Sequence, residues 1–199
     1  MRKALIFICL LNLCFVLCMV SSCSAPQSYS VYPLITNTEG VATPGKPAPN
    51  FSWIGSDNIK HNLTDFAGKP VVIATWDTGC TFCLNVMLPY FKTNYQKYTD
   101  QGAVILTIND KDSYKMFADF VKDKDYPFLL LKDENKPEFK FRSPYLIKFG
   151  NPWIVLIDKK GILVDIKGIF TDPSAKYTED DLRKIIDNFV GTQNGAQEN

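Results

Sequence analysis

The apolar positions along this chain change period, and the changes mark out its elements. Val71-Val72-Ile73-Ala74-Thr75-Trp76 is an almost unbroken β-branched and apolar run, which predicts a strand buried in a parallel sheet. After Cys83 the spacing switches. Leu84, Met87, Leu88, Phe91, Tyr95 and Tyr98 recur every three or four residues, one face of a helix reaching about Tyr98. Pro89 lies inside that helix and predicts a kink. Upstream, residues 51–54 and 59–63 flank the turn-rich Gly55-Ser56-Asp57-Asn58 and predict a β-hairpin. Thr64 then caps a short helical turn that Gly68-Lys69-Pro70 ends. Downstream come a buried strand over 103–108, an amphipathic helix from Asp110 to about Lys122, and a short strand over 128–131. Residues 132–149 are charged and aromatic, with Pro137 and Pro144, and read as a short helix or ordered loop. Residues 153–157 and 162–170 form an antiparallel pair about the Lys159-Lys160-Gly161 turn. Thr178-Glu179-Asp180-Asp181 caps a last helix with Leu182, Ile185, Ile186, Phe189 and Val190 inward.

The N-terminus follows a different logic. Arg2 and Lys3 precede an apolar run over residues 4–20 broken by Asn12, the pattern of an export signal. It ends Val20-Ser21-Ser22-Cys23, which resembles a bacterial lipobox and predicts lipidation at Cys23. Cleavage near Ser22 without lipidation, or an uncleaved anchor, are the alternatives. The next stretch is rich in Ser, Pro, Thr, Gly and Asn without sustained period. The expected organisation is a signal peptide over 1–22, a lipidated flexible tether over 23–45, one folded domain over 46–191 and a disordered tail over 192–199.

Charge and cysteine placement narrow the chemistry. The 199 residues carry a formal net charge of +1 with both signs interspersed, which gives no electrostatic case for nucleic acid. His61 is the one histidine, so multi-histidine metal sites and Cys-His catalysis have little to draw on. Cys9, Cys14, Cys18 and Cys23 belong to the N-terminal segment, leaving Cys80 and Cys83 in the body. Two cysteines make neither a disulfide scaffold nor a four-cysteine zinc site. Cys80 and Cys83 lie between a strand and a helix, three residues apart, so their sulfurs can meet. The unpaired N–H groups of the helix's first turn favour a thiolate there. Thiol–disulfide exchange is the chemistry this arrangement fits, against an incidental pair of small buried hydrophobes.

The order of elements, with the Pro47-Ala48-Pro49-Asn50-Phe51 entry, Leu63-Thr64-Asp65-Phe66-Ala67-Gly68-Lys69, Trp76 ahead of Cys80-Thr81-Phe82-Cys83, and Pro152 before Leu156-Ile157-Asp158-Lys159-Lys160-Gly161, resembles the thioredoxin-like fold. More narrowly it resembles the TlpA/ResA-like group of membrane-anchored thiol–disulfide oxidoreductases, over about residues 45–190. The resemblance implies an α/β domain: a central mixed sheet flanked by helices, with an N-terminal hairpin extension. It implies that Cys80 attacks and Cys83 resolves. Pro152 would be a cis-proline facing the dithiol, leaving the backbone of Asn151 to pair with extended substrate, with Trp76 beside it. No cofactor is expected beyond the Cys80–Cys83 disulfide. The expected partners are protein disulfide substrates, an electron donor in the membrane or periplasm, and the membrane itself through the lipid anchor, in the cell envelope. The chain departs from the group in four places. Ala74 and Val86 stand where relatives carry an acid, leaving Asp77 or water as proton acceptor. Pro89 lies one residue later than usual, and the stretch before Pro152 is longer. Two other classes share the fold. A thiol peroxidase would carry Pro-x-x-x-Thr-x-x-Cys, but Ile73 and Asp77 occupy those positions before Cys80. A thiolate copper carrier would use Cys80 and Cys83, although carriers that share the fold use a wider cysteine spacing and a distant histidine, neither of which is evident here.

Overall fold

The computed structural model describes residues 34–38, 40–54, 59–133, 141–142, 144–145, 147, 150–169 and 177–195. Eight strands follow one another as β1 (Leu34–Thr38), β2 (Phe51–Ile54), β3 (Lys60–Asn62), β4 (Val71–Trp76), β5 (Val104–Asn109), β6 (Leu129–Asp133), β7 (Trp153–Ile157) and β8 (Leu163–Gly168). They form one mixed sheet in the order β3-β2-β1-β6-β5-β4-β7-β8. All six residues of β4 are buried, which is why that stretch reads as an apolar run rather than an alternation. β5 lies parallel to it on one side and β7 antiparallel on the other. The crossover from β4 to β5 carries a π-helical turn (Cys83–Met87) and then α1 (Leu88–Thr99). α2 (Tyr114–Val121) connects β5 to β6, and α3 (Glu179–Gly195) follows β8.

The two faces of the sheet are covered differently. Val72, Ala74 and Trp76 pack with Met87, Leu88 and Phe91, with Phe117 and Val121 of α2, and with Leu182, Ile186 and Phe189 of α3. Val71 and Ile73, on the other face, meet Phe51, Trp53 and Leu63 together with Phe141, Tyr145 and Ile147. The longer stretch before Pro152 therefore covers the face opposite α1, α2 and α3, together with Leu63. It is pinned there: Tyr145 Oη donates to the Pro49 carbonyl at 2.6 Å, and its ring stacks on Phe141 at 4.3 Å. The Ala42 amide donates to the Pro144 carbonyl at 2.7 Å.

Several expectations need correction. The expected tether over 23–45 is not structureless throughout: Leu34–Thr38 forms β1, antiparallel to β2 and parallel to β6. Its side-chain pattern lacks a strand period, because the backbone pairing with two neighbours decides it. Pro89, expected in the helix interior, sits in the first turn of α1, after a turn in which the Leu88 amide reaches back five residues to the Cys83 carbonyl. That wider turn accommodates the missing proline N–H. The helical turn after β3 spans Leu63–Phe66 and starts ahead of Thr64; the Asp65 carboxylate accepts from the Asn62 amide at 2.8 Å. α2 starts at Ser113, whose hydroxyl accepts from the Met116 amide, so 110–112 lie outside it. α3 runs on to Gly195, past the expected fraying point at Gly191. The expected tail over 192–199 is thus helical at its start. Cys23 and the signal segment lie outside the described residues, and no described helix is long and apolar enough to cross a membrane.

Candidate active site

The turn from Asp77 to Cys80 is shaped by carboxylates. The Cys80 amide donates to the Asp77 carbonyl at 3.1 Å, closing the turn, and the Leu84 amide donates to the Cys80 carbonyl at 3.1 Å, opening the helix. Asp77 Oδ1 accepts from the Gly79 amide at 2.9 Å. A Cβ on Gly79 would stand 3.0 Å from that oxygen, a tight contact that would make the Asp77 carboxylate shift by a few tenths of an ångström. Thr78 is held from the neighbouring strand's end: its amide and hydroxyl both donate to Asp112, each at 2.9 Å. Asp112 is held in turn by Asn109 Nδ2 at 2.6 Å.

This turn delivers the two cysteines. Cys80 Sγ and Cys83 Sγ are joined as a disulfide with Cα atoms 5.2 Å apart. Cys80 is half-buried, whereas Cys83 is fully buried among the core residues on the helical face. The Cys83 amide points at Cys80 Sγ from 3.1 Å, a donor aimed where a Cys80 thiolate would form. The Asn151–Pro152 peptide is cis, and the Asn151 carbonyl oxygen lies 3.4 Å from Cys80 Sγ. Cys80, Cys83, Asn151 and Pro152 are thus brought together, as the family resemblance implied. Trp76 is fully buried, packed on Phe117 and Phe120 at 5.8 and 5.2 Å.

Beneath Asn151 lies a polar network that the sequence did not announce. Asn151 Nδ2 donates to Asp77 Oδ2 and to Asp110 Oδ1, both at 2.7 Å, and Oδ1 accepts from Thr75 Oγ1 at 2.6 Å. Thr75 Oγ1 accepts from the Trp153 amide at 3.0 Å. Arg142 donates to Asp110 Oδ2 at 2.6 Å, and Lys111 Nζ lies 3.4 Å from Asp77 Oδ2. Burial pushes the Asp110 carboxyl above its usual range, against the opposing pull of Arg142 and the Asn151 hydrogen bond. A signal for this network existed. Trp76 pairs with Asn109 in parallel register, so the polar run Asn109-Asp110-Lys111-Asp112 must emerge beside Asp77. Functional residues gather at the carboxyl ends of such strands. The fold brings Lys111 and Arg142 to the network.

No cluster of metal-ligating side chains occurs among the described residues. His61 lies on the edge strand β3, stacked on Trp53 at 5.7 Å.

Comparison with known proteins fixes the family. A model of the AhpC/TSA family matches residues 44–166, more than half of the chain. The chain belongs to the AhpC/TSA family. Its sheet, helices and dithiol are those of the thioredoxin-like fold. One relative is the thiol-disulfide oxidoreductase ResA of Bacillus thuringiensis subsp. konkukian, 32% identical over 117 residues. The match covers 59% of this chain and 65% of the relative, slightly under two thirds of its length. The chloroplastic peroxiredoxin Q of Triticum aestivum is 30% identical over 155 residues, covering 75% of this chain and 69% of the relative. The crystal structure of the pneumococcal exposed lipoprotein thioredoxin from Streptococcus pneumoniae superposes with a TM-score of 0.54 at 25% identity, over 70% of this chain and 98% of that one.

Proposed function

We propose that this AhpC/TSA chain is an extracytoplasmic, membrane-anchored thiol–disulfide oxidoreductase that reduces protein disulfides. The observation that carries the reading is the Cys80–Cys83 disulfide at a helix start, with the Asn151 carbonyl 3.4 Å from Cys80 Sγ across the cis-Pro152 peptide. The Cys80 thiolate attacks one sulfur of a substrate disulfide. That S–S bond breaks, a mixed disulfide forms, and the first substrate sulfur leaves as a thiolate. Cys83 then loses its proton to water or to Asp77, attacks Cys80 Sγ and releases the second substrate thiolate. Two electrons pass to the substrate, and the protein is left with the Cys80–Cys83 bond. A thiol donor returns it to the dithiol. Asn151, beside Pro152, offers its backbone to an extended substrate segment.

The reducing direction rests on the balance of charge at Cys80. The Asp77 carboxylate and the Asn151 carbonyl disfavour a thiolate, while the Cys83 amide and the helix start favour one. With no cation supplied by the turn itself, the potential falls at the reducing end, more negative than about −220 mV. The anchor rests on Cys23 and on the likeness to an exposed lipoprotein thioredoxin.

The experiment is trapping. A Cys83→Ser variant, expressed in the native envelope, accumulates mixed disulfides with its substrates on Cys80. Absence of any adduct, with the variant folded and exported, would refute exchange through Cys80. The likeness to peroxiredoxin Q favours a second reading, thiol peroxidase, although Ile73 and Asp77 replace the residues of the peroxidatic motif. Turnover of hydrogen peroxide with a dithiol reductant, faster than that of insulin disulfides, would favour it.

A further inference from the structure

One side chain gathers the polar network, and its own backbone touches the reactive sulfur. The Asn151 carboxamide is held from three sides, by Thr75, Asp77 and Asp110, at 2.6 to 2.7 Å. It cannot rotate without losing several of these bonds at once. Asp110 is itself 2% exposed. A buried carboxylate persists only beside a countercharge, and Arg142 supplies it at 2.6 Å while reaching to 3.5 Å of Asn151 Oδ1. Arg142 comes from the long stretch before Pro152, which the Tyr145 and Phe141 contacts fix to the sheet. The far end of this chain of contacts is the Asn151 carbonyl, 3.4 Å from Cys80 Sγ. A carbonyl oxygen accepts from a thiol and repels a thiolate, because it carries partial negative charge.

We propose that Asp110 and Arg142 are positioning residues for disulfide exchange: by fixing the Asn151 carboxamide they hold its carbonyl against Cys80 and keep that thiol a weaker acid than the helix start alone would make it. The proposal rests on the reading of Cys80 as the attacking thiol. Other groups set the remaining balance. The Cys83 amide favours the thiolate, Asp77 with its Lys111 partner stands in the turn, and Asp112 holds Thr78. Asp110 and Arg142 together carry no net charge, so their action on Cys80 is through geometry.

The test is the rate of Cys80 alkylation against pH in full-length protein in detergent, followed by peptide mass so that the other cysteines do not interfere, in a Cys83→Ser background. Arg142→Met lowers the Cys80 pKa by about half a unit to one unit, a threefold to tenfold gain in thiolate below the pKa. Arg142→Lys, which keeps the charge, restores most of the wild-type value. Thr75→Val loosens Asn151 without touching a charge and gives the same downward shift, so the proposal stays testable if Arg142→Met fails to fold. An unchanged pKa in folded Arg142→Met, with only a lower melting temperature, would make the pair merely structural and overturn the proposal. A raised pKa would also overturn it, by making Arg142 a distant cation that favours the thiolate. Single-cysteine variants with wild-type Arg142 serve a separate purpose: if Cys83 labels faster than Cys80 near neutrality, the role assignment fails, and the Arg142→Met shift still judges the positioning.

Discussion

Thr75 makes the sharpest stability test, because one hydroxyl joins both residues that flank Pro152. It donates to Asn151 Oδ1 at 2.6 Å and accepts from the Trp153 amide at 3.0 Å. In the β4–β7 ladder the backbone pairing runs from Val71 to Ala74 and stops, so at Thr75 a side chain takes over the task of the strand. Thr75→Val keeps the shape and removes the hydroxyl. No cavity forms, and the cost comes from polar groups. The Trp153 amide loses this acceptor, and Asn151 Oδ1 keeps only the long contact with Arg142. Thr75 is fully buried, so water does not replace the lost partner. Leaving such a group short of partners costs about 1 to 3 kcal/mol, and the expected loss here is about 2 kcal/mol. Urea unfolding of the oxidised protein reads it as a lower midpoint at unchanged slope. Thermal unfolding reads it as a fall of about 4 to 8 °C for a domain of this size. A loss under about 0.5 kcal/mol would mean that the hydroxyl does not hold the loop, and would falsify the account of Asn151 as clamped.

Three further outcomes follow from the same contacts. Tyr145→Phe removes the donor to the buried Pro49 carbonyl while keeping the ring on Phe141, and is expected to cost about 1 to 2 kcal/mol in urea unfolding; no change would detach the 141–147 stretch from the sheet's energetics. The Asp110 carboxyl is raised in the folded state by burial, so between its unfolded value and its folded value the native protein binds the extra proton. Its contribution to stability therefore grows as pH falls through the folded pKa and down to about 3.9, opposite to an acid whose folded pKa is lowered; the stability of wild type minus that of Asp110→Asn, measured by unfolding at several pH values, is expected to rise on acidification, and a fall would reverse the sign. Mass spectrometry of the mature N-terminus is expected to find a lipidated Cys23 carrying several acyl chains, which anchor stably where one does not; an unmodified Ser or Ala there would end that reading.

What was legible in the chain was whatever local pattern controls. β4 lies where the apolar run lies, residue for residue, because a strand buried on both faces leaves no other signature. The dithiol was legible because its chemistry is carried by residue type at fixed spacing, whereas the cis-Pro152 came only with the family resemblance. The misses share a cause, which is that a neighbour in space decided them. β1 has no strand pattern of its own and is ordered by pairing with β2 and β6. Arg142 and Asp110 are 32 residues apart and meet only because the long stretch folds back over the sheet. Residues 110–112 read as the start of a helix, since Asp and Lys are unremarkable there; the parallel register with β4 turned them into site residues instead.

The carboxylates near the dithiol are segregated by the two faces of the sheet. Ala74 and Trp76 share the helical face of β4 with Cys83, and that face is apolar around the resolving thiol. A carboxylate at Ala74 would have stood in that core. Thr75 belongs to the opposite face by strand alternation, and Asp110 alternates with Ile108 and Leu106 in the same way. The polar network therefore occupies the face covered by the long stretch before Pro152, and the sheet itself separates it from Cys83. Described contacts between the two sides occur at the strand ends, through the Asp77–Gly79 turn and through Asn151. On the positioning proposed above, the far face acts on Cys80 by setting the place of a turn and of one carbonyl, which puts the control at the half-buried Cys80 and leaves Cys83 in an apolar setting across the sheet.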